Sequence, residues 1–279
     1  LIANTPLTDP ATAAFFAPGC DPRDTDSLAV HLLEKAPLDL VLGGGGGQLV
    51  PAEQGGTRQD GRDLLLEARQ RGYDIVRTKE ELENTPGWRS PQVFGIFAEG
   101  DLAFAEDASR YPSQPSLADL VRRGIELLQF NRRGYFLVVN AGLGGRAAQL
   151  GRGESLLREI AALDEAVEAA RRFAGEDAVI IVAGLANTGG LQLNAFSFAP
   201  DRGIAVLSPS TAGTPALSWS TGPPPQPDAP IRQAIASPTD RPFLTSEDVL
   251  ILSSQPPVQP QTGHFFGIEA LNRLLDSKM

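Results

Sequence analysis

The chain has 279 residues, a mass of 29.6 kDa, 42% hydrophobic and 21% charged residues, and a net charge of −10. That is the composition of a globular protein long enough to bury a large core, and the acidic balance without a basic cluster makes nucleic acid and anionic lipid surfaces poor partners. The longest apolar runs, 178–185 and 135–139, fall far short of the roughly 20 residues a membrane-spanning helix needs, and the single Cys20 excludes an internal disulfide or a thiolate metal cluster.

Taken in chain order, strand-like apolar runs stand at 38–42, 93–97, 135–139, 178–182, 204–207 and 249–252. Several are apolar without alternation, as expected of strands covered on both faces in a mainly parallel sheet. Helical patterns lie between them at 26–34, 61–71, 116–130, 154–173 and 267–275. Ser116, followed three residues later by Asp119, is a capping arrangement for the third of these, and Pro115 ends whatever precedes it. In 154–173 the residues Leu156, Leu157, Ile160, Ala161, Leu163, Val167 and Ala170 form one apolar stripe. The proline-rich piece 221–230 reads as a surface connector and 255–260 as a second one, because proline lacks the amide proton that a helix or an inner strand requires. The expected fold class is α/β, a single domain over residues 1–279 with a mainly parallel central sheet flanked by helices.

Among residues with chemical potential, the five glycines 43–47 follow a strand and invite a phosphate-loop reading. The Lys and Ser/Thr such a loop requires are replaced by Gln48, Leu49 and Val50, so a tight turn is the better reading. His31 and His264 are the only histidines and lack acidic neighbours in sequence, which favours structural or solvated roles. Ser208 or Ser210 with His264 and Asp248 composes a hydrolytic triad only on paper, without a nucleophile-elbow sequence. Glu80, Glu81 and Glu83 read as a solvated helix face, and Asp164, Glu165 and Glu168 as a polar side paired with Arg171 and Arg172.

Five segments carry a family resemblance. Residues 114–149, Gln-Pro-Ser-Leu-Ala-Asp-Leu through Tyr-Phe-Leu-Val-Val-Asn-Ala-Gly and on to Gln149, resemble the central part of the alkaline phosphatase family. Asp39-Leu-Val-Leu-Gly-Gly-Gly45 resembles its strand and glycine turn, Thr8-Asp-Pro-Ala-Thr-Ala-Ala-Phe15 its Thr-His-Ala-Thr-Pro-Ala-Ala-Phe, and the strand 178–185 the one ending in Thr-Ala-Asp-His. Residues 244–249 are similar to the family's His-Thr-Gly-Glu-Asp-Val.

The resemblance implies an alkaline phosphatase-like fold, a phosphate monoester hydrolase activity, and zinc and magnesium as cofactors. It also places seven metal-ligand positions in this chain: Ala11 and Asn140 for magnesium, and Gly145, Gln149, Gly184, Leu185 and Leu244 for zinc. Zinc prefers Cys, His, Asp and Glu, and a hard cation gains little from an uncharged amide, so every position carries a poor ligand or none. The expectation is a catalytically degenerate protein without catalytic residues, cofactor or metal, serving as a structural or binding subunit of a secreted or cell-envelope assembly. The alternative is an active phosphatase whose site residues come from an N-terminal segment outside this sequence. The family's opening strands have no counterpart here, so the fold is expected to be incomplete without a separate N-terminal polypeptide, with other envelope subunits as further partners. Family members are generally exported, which implies a periplasmic, cell-surface or extracellular location.

Overall fold

Alternation of side chains along the strands divides the core in two. Ile2, Leu40, Leu42 and Val93 pack on one side of the sheet with Leu117, Leu120, Val121 and Ile125, while their neighbours Ala3, Val41 and Phe94 pack on the other with Leu32, Leu33, Leu64 and Ala68. A run that is apolar at every position can satisfy both layers at once, which is why these strands carry no polar alternation. The computed structural model describes residues 1–36, 38–89, 92–194, 196–199, 204–207, 216–220, 244–245 and 249–254. The helix expected at 267–275 and the proline-rich pieces at 221–230 and 255–260 lie outside the described residues.

The chain divides into two units, one of Leu1–Gly144 with Ser155–Gly175 and one of Gly145–Glu154 with Glu176–Met279. The first holds strands β1 (Ile2–Pro6), β2 (Leu40–Gly44), β3 (Asp74–Val76), β4 (Val93–Ile96) and β5 (Val139–Asn140) in one sheet of order β3-β4-β2-β1-β5, every pair parallel. Helices α2 (Thr25–Glu34) and α3 (Leu64–Gln70) cover one face, and α4 (Lys79–Asn84) and α5 (Leu117–Leu128) the other. A short α1 (Pro10–Ala13) follows β1. The α/β architecture with a mainly parallel sheet therefore holds for this unit. The strand β1 was not among the expected ones, because buried Asn4 and Thr5 interrupt its apolar character. The run 135–139 shows ladder pairing only at its end, over Val139–Asn140.

Helix α5 begins with the expected capping box: the Ser116 hydroxyl accepts from the Asp119 amide at 3.1 Å, and the Ser116 amide donates back to the Asp119 carboxylate at 3.0 Å. Lys79 adds a 2.7 Å bond to the same carboxylate. Burial opposes ionisation of Asp119, yet the bonds from Lys79 and Ser116 hold it below the usual carboxylate range. The guanidinium of Arg123 donates to the carbonyls of Leu82, Glu83 and Thr85, closing the C-terminal end of α4 with a cation where the helix dipole favours one.

Helix α6 (Leu143–Gln149) follows β5, and α7 (Gly153–Ala174) belongs to the first unit from Ser155 onward. The buried face of α7 is rotated from the expected stripe: Leu156 and Ala166 are buried, but Ile160 is 52% exposed and Glu159 only 6%. The cause is polar, since the Glu159 carboxylate accepts from the Ala105 amide at 2.7 Å and draws that side of the helix inward.

The described parts of the second unit are short antiparallel ladders. Strand β6 (Ile181–Ala183) pairs with β13 (Ile251–Ser253), β7 (Asn187–Thr188) with β12 (Leu244–Thr245), β8 (Gln192–Leu193) with β11 (Leu217–Ser218), and β9 (Phe196–Ala199) with β10 (Ile204–Leu207). No helix among the described residues is long and apolar enough to cross a membrane.

Candidate functional site

In open parallel sheets the crevice outside the carboxyl ends of the strands is where chemistry collects. At that end of the first unit, β1 runs into Leu7-Thr8-Asp9, and the Asp9 side chain accepts from the Ala11 amide at 3.0 Å to cap α1. This turn delivers Thr12, fully buried, beside β5. The Asn140 amide nitrogen donates to the Thr12 hydroxyl oxygen at 2.7 Å in a buried contact spanning 128 residues of sequence. Asn4, in the middle of β1, accepts from the Leu143 amide at 3.2 Å and so ties the start of α6 to the sheet. The Thr8 hydroxyl donates to the Gln48 side-chain oxygen. Thr5 is buried with its hydroxyl unpartnered, under Gly142, where a Cβ would come within 2.6 Å of the Thr5 methyl group.

Asn4, Thr5, Thr8, Thr12, Gln48 and Asn140 are all neutral. A divalent cation leaving water needs anionic oxygen to offset lost hydration, and this set offers only amides and hydroxyls, of which Asn140 bonds Thr12 and Thr8 bonds Gln48. Among the described residues, no three His, Cys, Asp or Glu side chains stand close enough together to hold a metal. The six side chains named bring no anionic oxygen, and the Asp9 carboxylate in the same turn is engaged in capping α1.

The glycine turn is closed to phosphate by its own hydrogen bonds. The amides of Gly45, Gly46 and Gly47 donate to the carbonyls of Gly100, Ala98 and Glu99 at 2.9, 2.9 and 3.1 Å, leaving none of the three to cradle an anion. The reason for glycine is steric: a Cβ on Gly44 would lie 2.1 Å from the Gly100 carbonyl oxygen. Beyond the turn, Arg58 is wholly buried and donates to the Asp60 carboxylate at 3.0 Å, to the Asp26 carbonyl at 3.2 Å and to the Gln48 carbonyl at 3.4 Å, pinning the loop to α2.

Of the seven positions singled out by sequence, Ala11 and Asn140 lie in the first unit and the other five in the second. The side chain brought against Asn140 is Thr12, the neighbour of Ala11, a residue the sequence reading did not single out. Its signal was a hydroxyl one place further along in Pro10-Ala11-Thr12. Gly145 and Gln149 lie on α6, with open space where a Cβ of Gly145 would stand. The Gly184 amide donates to the Leu250 carbonyl at 2.9 Å beside β13. Leu185 and Leu244 are 65% and 60% exposed, and Leu244 pairs with Thr188. His31 lies with its ring nitrogens 3.8 and 3.7 Å from the Cys20 sulfur. Ser208, Ser210, Asp248 and His264 lie outside the described residues.

Comparison with known proteins matches this architecture. A family model described as alkaline phosphatase covers residues 13–212. Alkaline phosphatase 4 of Bacillus subtilis is 31% identical over 202 residues, covering 70% of this chain and 41% of that protein. The repressible alkaline phosphatase of Saccharomyces cerevisiae is 30% identical over 216 residues, covering 68% of this chain and 38% of its own. The crystal structure of Thermus thermophilus alkaline phosphatase superposes with a TM-score of 0.62 at 29% identity, covering 71% of this chain and 41% of that one. The alkaline phosphatase of the Antarctic bacterium TAB5 shares the fold over 99% of this chain, with a TM-score of 0.69 at 17% identity. This chain spans about two-fifths of the length of the curated relatives it matches. On the extent of the family match and the identity to these relatives, the chain belongs to the alkaline phosphatase family.

Proposed function

We propose that this chain is a catalytically degenerate alkaline phosphatase-like protein that serves as a structural or binding subunit of a secreted or cell-envelope assembly. The observation that carries the reading is the buried Asn140–Thr12 hydrogen bond, an amide and a hydroxyl that satisfy each other, beside a turn whose carboxylate, Asp9, caps α1. Metal-assisted phosphoryl transfer requires cations that activate the nucleophile and neutralise charge on the leaving oxygen. Side chains that cannot hold such ions leave the scaffold without that chemistry. The scaffold persists because its two apolar layers pack without reference to the site.

The test is elemental analysis of the natural gene product together with hydrolysis of p-nitrophenyl phosphate. The expected result is zinc and magnesium far below one equivalent and no turnover above buffer. Stoichiometric zinc accompanied by turnover would refute the reading and establish an active phosphatase instead.

A further inference from the structure

Three pairs of adjacent basic residues occur in the chain, Arg122-Arg123, Arg132-Arg133 and Arg171-Arg172. The fold presents them differently. The first lies inside α5, where Arg122 pairs with Glu83 and Glu126 and Arg123 closes the end of α4. The third lies inside α7, with Arg171 3.7 Å from Glu168. The second stands on the turn between α5 and β5, where residues 129–136 are all exposed, the longest such run among the described residues.

The turn is built to hold this pair outward. The Asn131 side chain accepts from the Arg133 amide at 3.1 Å and the Asn131 carbonyl from the Gly134 amide at 2.9 Å, and Gly134 then redirects the chain with a φ of 81°, a conformation that favours glycine. Tyr135, Phe136 and Leu137 run on outside any helix or strand until Val139 reaches β1. An endoprotease must hold several consecutive residues away from their own fold. A pair inside a helix is therefore cut only after unwinding, whereas an exposed tip needs little opening.

We infer that the Arg133–Gly134 bond is a cleavage site for an endoprotease specific for paired basic residues, whose acidic subsites receive Arg132 and Arg133. The step is a hydrolysis. The oxygen of one water joins the carbonyl carbon of Arg133, which is released as a carboxylate, and the Gly134 nitrogen leaves as an amine that keeps the protons. The product is two polypeptides in one fold. Ile2 and Ala3 on one side of the cut pair with Val139 and Asn140 on the other, and Ala166 of α7 shares an apolar layer with Leu117 and Leu120 of α5. Cleavage therefore unties β5 from α5 while both stay in the core. The inference does not depend on whether the chain binds metal or hydrolyses phosphate.

The experiment incubates the natural gene product with a dibasic-specific serine endoprotease and follows it by intact mass spectrometry, amino-terminal sequencing and size-exclusion chromatography. The expected product begins at Gly134-Tyr135-Phe136 and elutes together with the piece that ends at Arg133. Cutting there should be at least about tenfold faster than after Arg123 or Arg172, because a helical site is open in only a small fraction of molecules. Arg133→Gln should block the cut with the melting temperature unchanged, and Arg172→Gln should leave the cut as it is. A first cut after Arg123 or Arg172 overturns the inference. So does separation of the two pieces, or resistance of the folded protein under conditions that cleave a synthetic peptide of residues 128–138.

Discussion

Asn140 and Thr12 bring together two polar groups that neither residue's neighbours in sequence would connect. Replacing Asn140 with Ala removes the donor and strands the Thr12 hydroxyl in a buried site, a loss of about 1–3 kcal/mol. Urea unfolding of the Asn140→Ala variant should show that loss. Glu159 offers a second test at this scale. Burial raises its carboxyl above the ordinary value of 4.5, the bond from the Ala105 amide opposes the rise, and nearby Glu106 adds to it. The native state therefore holds this proton more tightly than the unfolded chain. The contribution to stability is complete below 4.5 and is lost as pH rises through the native value. A Glu159→Gln variant should lose that part of the slope, read as the difference between the two unfolding free energies across acidic pH. The stretch around Asn140 was readable in the sequence as resembling the family, but its buried contact with Thr12 was not. A one-to-one match places Ala11 at the family's threonine, and only folding shows which side chain reaches β5.

Among the elements, α5 was the most legible: proline, capping residues and a stripe of leucines agree, and the observed helix Leu117–Leu128 lies within the expected span. The run 135–139 was legible as apolar and extended, but its pairing was not, because a strand's partners lie elsewhere in the chain. The rotated face of α7 was hidden for a related reason, as nothing in the local periodicity announces that Glu159 will find a backbone amide at residue 105. Close approach of α5 to the sheet depends on Gly124, where a Cβ would meet Ile2 and Leu40 side-chain carbons at 3.0 Å each. Alanine there gains about 1 kcal/mol of helix propensity. Overpacking against two buried side chains costs about 1–3 kcal/mol, so the loss should win. Gly124→Ala is expected to lower the urea midpoint without changing its m-value.

Across the whole molecule, the best-ordered chemistry is not evenly spread. The five parallel strands share two apolar layers, whereas the described ladders of the second unit are two-stranded and two to four residue pairs long. Isolated two-stranded pairs are marginal in water, so opening should be easiest there. Native-state hydrogen exchange should find the slowest amides in β2 and β4 and the fastest among the ladder amides of β8–β11 and β7–β12. Equal protection in both sets would contradict this. Family membership was readable from the stretch 114–149, since packing residues dominate it, and the apolar runs 178–182, 204–207 and 249–252 of the second unit were readable as strands, while the two-residue strands β7, β8, β11 and β12 were too short to read.

The amide–hydroxyl bond between Asn140 and Thr12 has one more effect. On the function proposed above, the melting temperature is expected to be the same in excess EDTA as in millimolar zinc or magnesium. A protein of that kind would keep its shape where chelators strip the ions on which a metalloenzyme's architecture leans.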